Sequence, residues 1–149
     1  MEKKANNEDK IMWKVMIVDD EKLICKLVQA LVEWDKLGMQ MAAQAENAIQ
    51  ALDMLQQYRP DILITDIRMP GMDGLELIKN AKKICPELEI IIISGYAHFE
   101  YARNALSLGV GNYLLKPIKQ DELNETLRKI GERLDAKKSA QGMEMAERR

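Results

Sequence analysis

The sequence predicts an α/β protein: an open, doubly wound sandwich of five strand–helix units around a parallel sheet. Three observations carry this. Short apolar runs alternate five times with segments whose apolar residues fall at helical spacing. The runs lack the polar alternation of a sheet with one wet face, so both faces are covered by helices. The strands are short and their connections brief, and a chain of 149 residues has no room for a closed eight-fold barrel.

Residues 1–12 read as a solvated leader. "WKVMIV" is the first strand and runs into "DDEK". Leu23, Ile24, Leu27, Val28, Leu31 and Val32 then share one helical face. "GMQMAAQA", from Gly38, is a weaker second strand. Ala48, Leu52 and Leu55 mark a second helix that must stop before Pro60. "DILIT" is the third strand. Leu77, Ile78, Ala81 and Ile84 carry the third helix, closed by Pro86, and "LEIIIIS" is the fourth strand. Phe99, Ala102 and Leu106 indicate a fourth helix ended by Gly109. "GNYLLKP" is the fifth strand, and Leu123, Leu127, Ile130 and Leu134 give the fifth helix. One domain therefore spans 13–134, and 135–149 is a helical extension or a linker.

The composition narrows the function. A formal net charge of -2 gives no electrostatic case for nucleic acid. No apolar run approaches the ~20 residues of a membrane helix, and "MEKKANNEDK" lacks the apolar core of a signal peptide. Cys25 and Cys85 form no CxxC pattern and read as reduced thiols of a cytoplasmic protein. The one histidine, His98, cannot build a histidine metal cluster.

In an open parallel sheet, ligands bind outside the carboxyl ends of the strands. Asp19 and Asp20 end the first strand, Asp66 the third, Ser94 the fourth and Lys116 the fifth. A lone aspartate at such a place is ordinarily a cap or turn residue. Three carboxylates, a hydroxyl and an ammonium on one rim are a pattern. Clustered acids repel, and one should hold its proton unless a cation intervenes. Carboxylate, carbonyl and water oxygens suit Mg²⁺. With the charge balanced, Asp66 stays ionised as a nucleophile toward a phosphoryl group, Lys116 pairs with the carboxylate and then the phosphoryl oxygens, and Ser94 donates to a new oxygen. The loop "MPGMDG" after Asp66 is stiffened by Pro70, while Gly71 and Gly74 permit backbone angles other residues resist. Asp73 is placed to cap the third helix, with Glu76 three residues on. The loop holds the main chain near Asp66, so that the Arg68 carbonyl can face the metal.

These residues resemble the receiver domain of two-component response regulators, over about residues 13–134. The acidic pair matches Asp19 and Asp20, the phosphoacceptor Asp66, the Ser/Thr switch Ser94, the switch aromatic Tyr113 and the lysine Lys116; "DIRMPGMDG" is close to the family's wording. The resemblance implies a flavodoxin-like sheet of order 2-1-3-4-5 and a cis Lys116–Pro117 bond. It implies Mg²⁺ held by Asp20, Asp66 and the Arg68 carbonyl, with Asp19 acting through water. It also implies phosphorylation of Asp66 by a histidine kinase or a small phosphodonor. Ser94 is then drawn to the phosphoryl group, Tyr113 turns inward, and the face of the fourth helix, fifth strand and fifth helix changes its binding preference. "SGYAHFEYARNALSLGVGNYLLKP" is similar to receivers that precede an AraC-type DNA-binding domain, so contact with DNA is expected only through an output domain outside these residues. No membrane partner is expected.

Three other readings compete. A haloacid dehalogenase-like phosphatase also uses an aspartate nucleophile and Mg²⁺, but it carries a second aspartate where Arg68 stands. A flavodoxin-like redox module needs a phosphate-binding loop after the first strand, and "DDEK" repels phosphate. A degenerate receiver acting as a dimer scaffold would not need every site residue. The charges on the fifth helix (Lys119, Asp121, Glu122, Glu125, Arg128, Lys129) are ordinarily a solvated face, and the alternative is a salt-bridged homodimer surface.

Overall fold

The computed structural model describes residues 12–95 and 109–147, with side chains described as far as Gln141. Its strands are β1 (Trp13–Val18), β2 (Met39–Ala45), β3 (Ile62–Asp66), β4 (Glu89–Ser94) and β5 (Asn112–Leu115). They form one parallel sheet in the order β2-β1-β3-β4-β5, as expected. The helices are α1 (Lys22–Leu31), α2 (Ala48–Tyr58), α3 (Gly74–Ile84) and a C-terminal helix (Gln120–Glu147). The fourth helix expected from Phe99, Ala102 and Leu106, together with His98 and the 1–11 leader, lies outside the described residues.

Alternate residues of each strand enter opposite cores, which is why the strands read as unbroken apolar runs. Met16, Val18, Leu63, Ile90 and Ile92 pack under α2 and α3. Val15, Ile17, Ile62, Ile64, Ile91 and Ile93 pack under α1 and the C-terminal helix, against Cys25, Val28, Leu123, Leu127, Ile130 and Leu134. A fully buried Ile, Leu or Val contributes about 1.5–3 kcal/mol, whereas an exposed ion pair contributes about 0–1 kcal/mol. The two apolar layers therefore hold the fold, and the rim can tolerate repelling charges.

Local chemistry sets the helix ends. Asn47 caps α2 by accepting from Gln50 N at 2.8 Å, and Asp73 caps α3 by accepting from Glu76 N at 3.0 Å. Arg59 closes α2 in a left-handed conformation (φ 46°) just before Pro60. Two features depart from expectation. The first helix stops at Leu31 rather than including Val32, and a single helical turn, Trp34–Leu37, follows it. The cause is distant in sequence: buried Asn124 accepts from Glu33 N and donates to Leu31 O, both at 2.8 Å, and so supplies partners where α1 ends. The final helix continues without interruption to Glu147. No helix among the described residues is long and apolar enough to cross a membrane.

Candidate functional site

The parallel order puts the carboxyl ends of β1, β3, β4 and β5 on one rim, and the polar residues of the sequence meet there. Asp19, just past β1, is 2% exposed; Asp66, the last residue of β3, is 7% exposed; Asp20 is exposed. One carboxylate oxygen from each lies within 4.8 Å of the others. The Lys116 ammonium reaches into the same space, 3.4 Å from Asp66 Oδ2 and 3.6 Å from Asp19 Oδ2. The Lys116–Pro117 peptide is cis, as the resemblance implied.

Asp19 and Asp66 are each held by the backbone beside them. Glu21 N–H donates to Asp19 Oδ1 at 2.9 Å, and the buried Cys25 thiol contacts the Asp19 carbonyl oxygen at 3.8 Å. Ile67 N–H donates to Asp66 Oδ1 at 2.7 Å, which leaves Oδ2 turned to Lys116. The Thr65 hydroxyl, fully buried, donates to the Asp66 carbonyl at 2.9 Å. Gly71 takes the positive φ (81°) expected of the loop. Gly74 serves a different purpose from the one expected: its backbone angles are ordinary, but it has no space for a side chain. A Cβ there would overlap the Asp66 carbonyl oxygen and stand 2.8 Å from Ile67 Cα, because Gly74 N–H bonds Ile67 O at 2.8 Å.

Ser94 and Tyr113 form a second group beside the acids. Ser94 is fully buried at the end of β4, and its hydroxyl lies 2.7 Å from the Tyr113 hydroxyl on β5. The Ser94 carbonyl accepts Lys116 N–H at 2.8 Å, tying the two groups through one residue. The Arg68 side chain is exposed on the loop beyond Asp66. Sequence reasoning missed Thr65, Cys25 and the packing role of Gly74, because single buried polar or small residues carry no motif.

The charges are unevenly shared. Burial pushes Asp19 up to about 6 from 3.8, and repulsion from Asp66 and Asp20 adds to this against the Glu21 N–H and Lys116. Burial alone would pull Lys116 down, but Asp66 and Asp19 outweigh it and hold the ammonium above its ordinary value. A folded carboxyl titrating above its unfolded value favours the folded state at low pH. Its stabilisation is lost as pH rises from about 4 to about 6. Metal-free protein should therefore lose thermal stability across that window relative to Asp19→Asn, whose melting lacks this component. Superimposable pH profiles in melting experiments would contradict the assignment. A donor set of three crowded carboxylate oxygens suits a hard divalent cation such as Mg²⁺.

Comparison with known proteins bears on the same residues. The family model described as the response regulator receiver domain matches residues 15–128. The transcriptional regulatory protein YesN of Bacillus subtilis (strain 168) is 40% identical over 119 residues, 80% of this chain and 32% of YesN. The transcriptional regulatory protein HptR of Staphylococcus aureus (strain NCTC 8325 / PS 47) is 32% identical over 135 residues, 91% of this chain and 53% of HptR. The chain thus spans about a third to a half of these curated relatives. Among solved structures, the REC domain of AraT, a response regulator from Geobacillus stearothermophilus, superimposes with a TM-score of 0.83. It is 38% identical, and the match covers 86% of this chain and 99% of that one. A two-component transcriptional regulator AraC from Clostridium phytofermentans ISDg gives a TM-score of 0.74 at 35% identity, covering 79% of this chain and 92% of that one.

Proposed function

The chain belongs to the response regulator receiver domain family, and on that premise we propose that Asp66 accepts a phosphoryl group from a sensor histidine kinase or a small phosphodonor. The observation that carries this reading is the meeting of Asp19, Asp20 and Asp66 within 4.8 Å, with Lys116 bridging two of them. Asp66 Oδ2 is the nucleophile: its bond to phosphorus forms as the donor's P–N or P–O bond breaks. The Ile67 N–H keeps the other oxygen still, so that one lone pair faces the incoming group. Lys116 starts paired to Asp66 and passes to the phosphoryl oxygens, offsetting their charge.

Asp20, Asp66 and the Arg68 carbonyl would hold Mg²⁺, with Asp19 acting through water; the bound ion would supply the positive charge that lets three acids and an anion share one pocket. The domain performs no turnover on free substrates and acts as a signalling acceptor that phosphorylates and dephosphorylates only itself. Ser94 is the relay. Its hydroxyl is bonded to Tyr113, and a phosphoryl oxygen competes for the same hydroxyl, so acceptance of the group is felt at β5. The face around β5 and the start of the C-terminal helix then changes its preference for a partner, a second copy being one candidate. In a cytoplasmic protein of the relatives' length, the outcome would be control of transcription through a separate AraC-type DNA-binding unit. Intact-mass spectrometry after acetyl phosphate treatment tests the reading. A gain of one phosphoryl group that requires Mg²⁺ is expected; no gain under any metal condition would refute it.

A further inference from the structure

The C-terminal helix is 28 residues, about 42 Å at 1.5 Å per residue, and only its first half is packed. Leu123, Leu127, Ile130 and Leu134 are buried, whereas every residue from Asp135 to Gln141 is exposed. A helix with no apolar stripe is held by nothing on its own surface and would fray at this length. At the point where packing ends, three polar ties reach from the helix to β1, to β4 and to the turn before β4. Arg133 bonds Glu89 at 2.7 Å, Asp135 accepts from Trp13 Nε1 at 2.8 Å, and Lys137 lies 3.6 Å from Glu87.

Their geometry is specific. Residues 133 and 137 share one flank of a helix, and residue 135 lies on the opposite flank, with Leu134 turned down between them. Arg133 and Lys137 reach toward the start of β4, whereas Asp135 reaches the start of β1. β1 and β4 are the two neighbours of β3. The helix is therefore gripped from both sides as it leaves the body over the lower end of β3. Its other end is fixed too: buried Asn124 ties it to Leu31 and Glu33, and the helix begins four residues after Lys116.

We propose that the C-terminal helix is a rigid strut. Arg133, Asp135 and Lys137 act as positioning residues that clamp it to Glu89, Trp13 and Glu87, so that its projecting half holds one direction relative to the acidic pocket. One exposed ion pair fixes little; ties on opposite flanks resist both swing and rotation about the axis. What the strut serves rests on the receiver reading: in a longer protein it sets where the next unit stands. Its stiffness does not depend on that reading.

The test is a distance distribution by pulsed electron spin resonance on the whole chain. Nitroxides are placed at the exposed positions Gln57→Cys and Ala140→Cys in a Cys85→Ser background, Cys25 being buried. A single narrow distribution is expected. Replacing the clamp with Arg133→Ala, Asp135→Ala and Lys137→Ala keeps good helix formers in place and removes only the ties; the distribution should broaden about twofold. Trp13→Phe with Glu89→Ala, which cuts two of the ties from the sheet side, should do the same. A broad distribution in the starting protein, or an unchanged width in both clamp variants, overturns the proposal. So does a between-molecule distance in protein labelled at Ala140→Cys alone, since a second copy would then be holding the helix. Failure of phosphoryl uptake would sink the proposed phosphoacceptor role of Asp66 while leaving these distances as they are.

Discussion

Asp66→Asn is expected to take up no phosphoryl group from acetyl phosphate while folding at least as well as the parent chain. The amide preserves shape and can still accept Ile67 N–H through Oδ1, the bond that measures 2.7 Å in the parent. It is no nucleophile, so uptake should fall below detection in intact-mass spectra. The same change removes one of three mutually repelling charges and places an amide opposite the Lys116 ammonium. Lys116 then depends on Asp19, 3.6 Å away. Because Asp66 is one of the charges that push Asp19 upward, Asp19 should titrate lower in the variant. Retained labelling would mean that another residue is the acceptor. Lost labelling with an unchanged Asp19 titration would mean that the acids are not coupled as the distances imply.

Gly74→Ala should be the most damaging small substitution near the site. The added methyl meets the Asp66 carbonyl oxygen and Ile67 Cα, and neither can move as a side-chain tip would. Overpacking against other parts of a structure costs about 1–3 kcal/mol, occasionally more. Here the strain falls on the segment whose N–H group orients Asp66, so Mg²⁺ affinity and phosphoryl uptake should fall together with stability. Gly71→Ala is the internal control. Its Cβ would enter open space, and only its positive φ is strained, at a cost of about 1–2 kcal/mol. Urea melts and metal titration of the two variants make the comparison. Equal stability with equal metal affinity would show that the close approach at Gly74 carries no weight.

The described strands and principal helices were legible because each is a local matter. Apolar residues recur at a period that suits a strand or a helix, and Pro60, Pro86, Asn47 and Asp73 punctuate the runs. The site was legible for a related reason. A parallel sheet sends every strand's carboxyl end to the same rim, so position within a strand predicts position in space. Where local reasoning erred, a distant group intervened. α1 stops at Leu31 because Asn124, 93 residues further on, supplies partners to its end. Gly74 appeared to be a matter of backbone angles and is a matter of contact with Asp66.

What the sequence by itself determined is the inventory: alternating strands and helices, three acids, a hydroxyl and an amine at strand ends, and a loop that bends after Asp66. What only the tertiary structure decided is how those groups share charge and force. Burial and crowding leave Asp19 the reluctant acid, Lys116 divides itself between two carboxylates, Ser94 is already bonded to Tyr113, and the last helix is gripped from two strands. The physical reason is range. Hydrophobic periodicity and turn chemistry act between near neighbours along the chain. Electrostatic coupling and close packing depend on distances that exist only once remote segments have met.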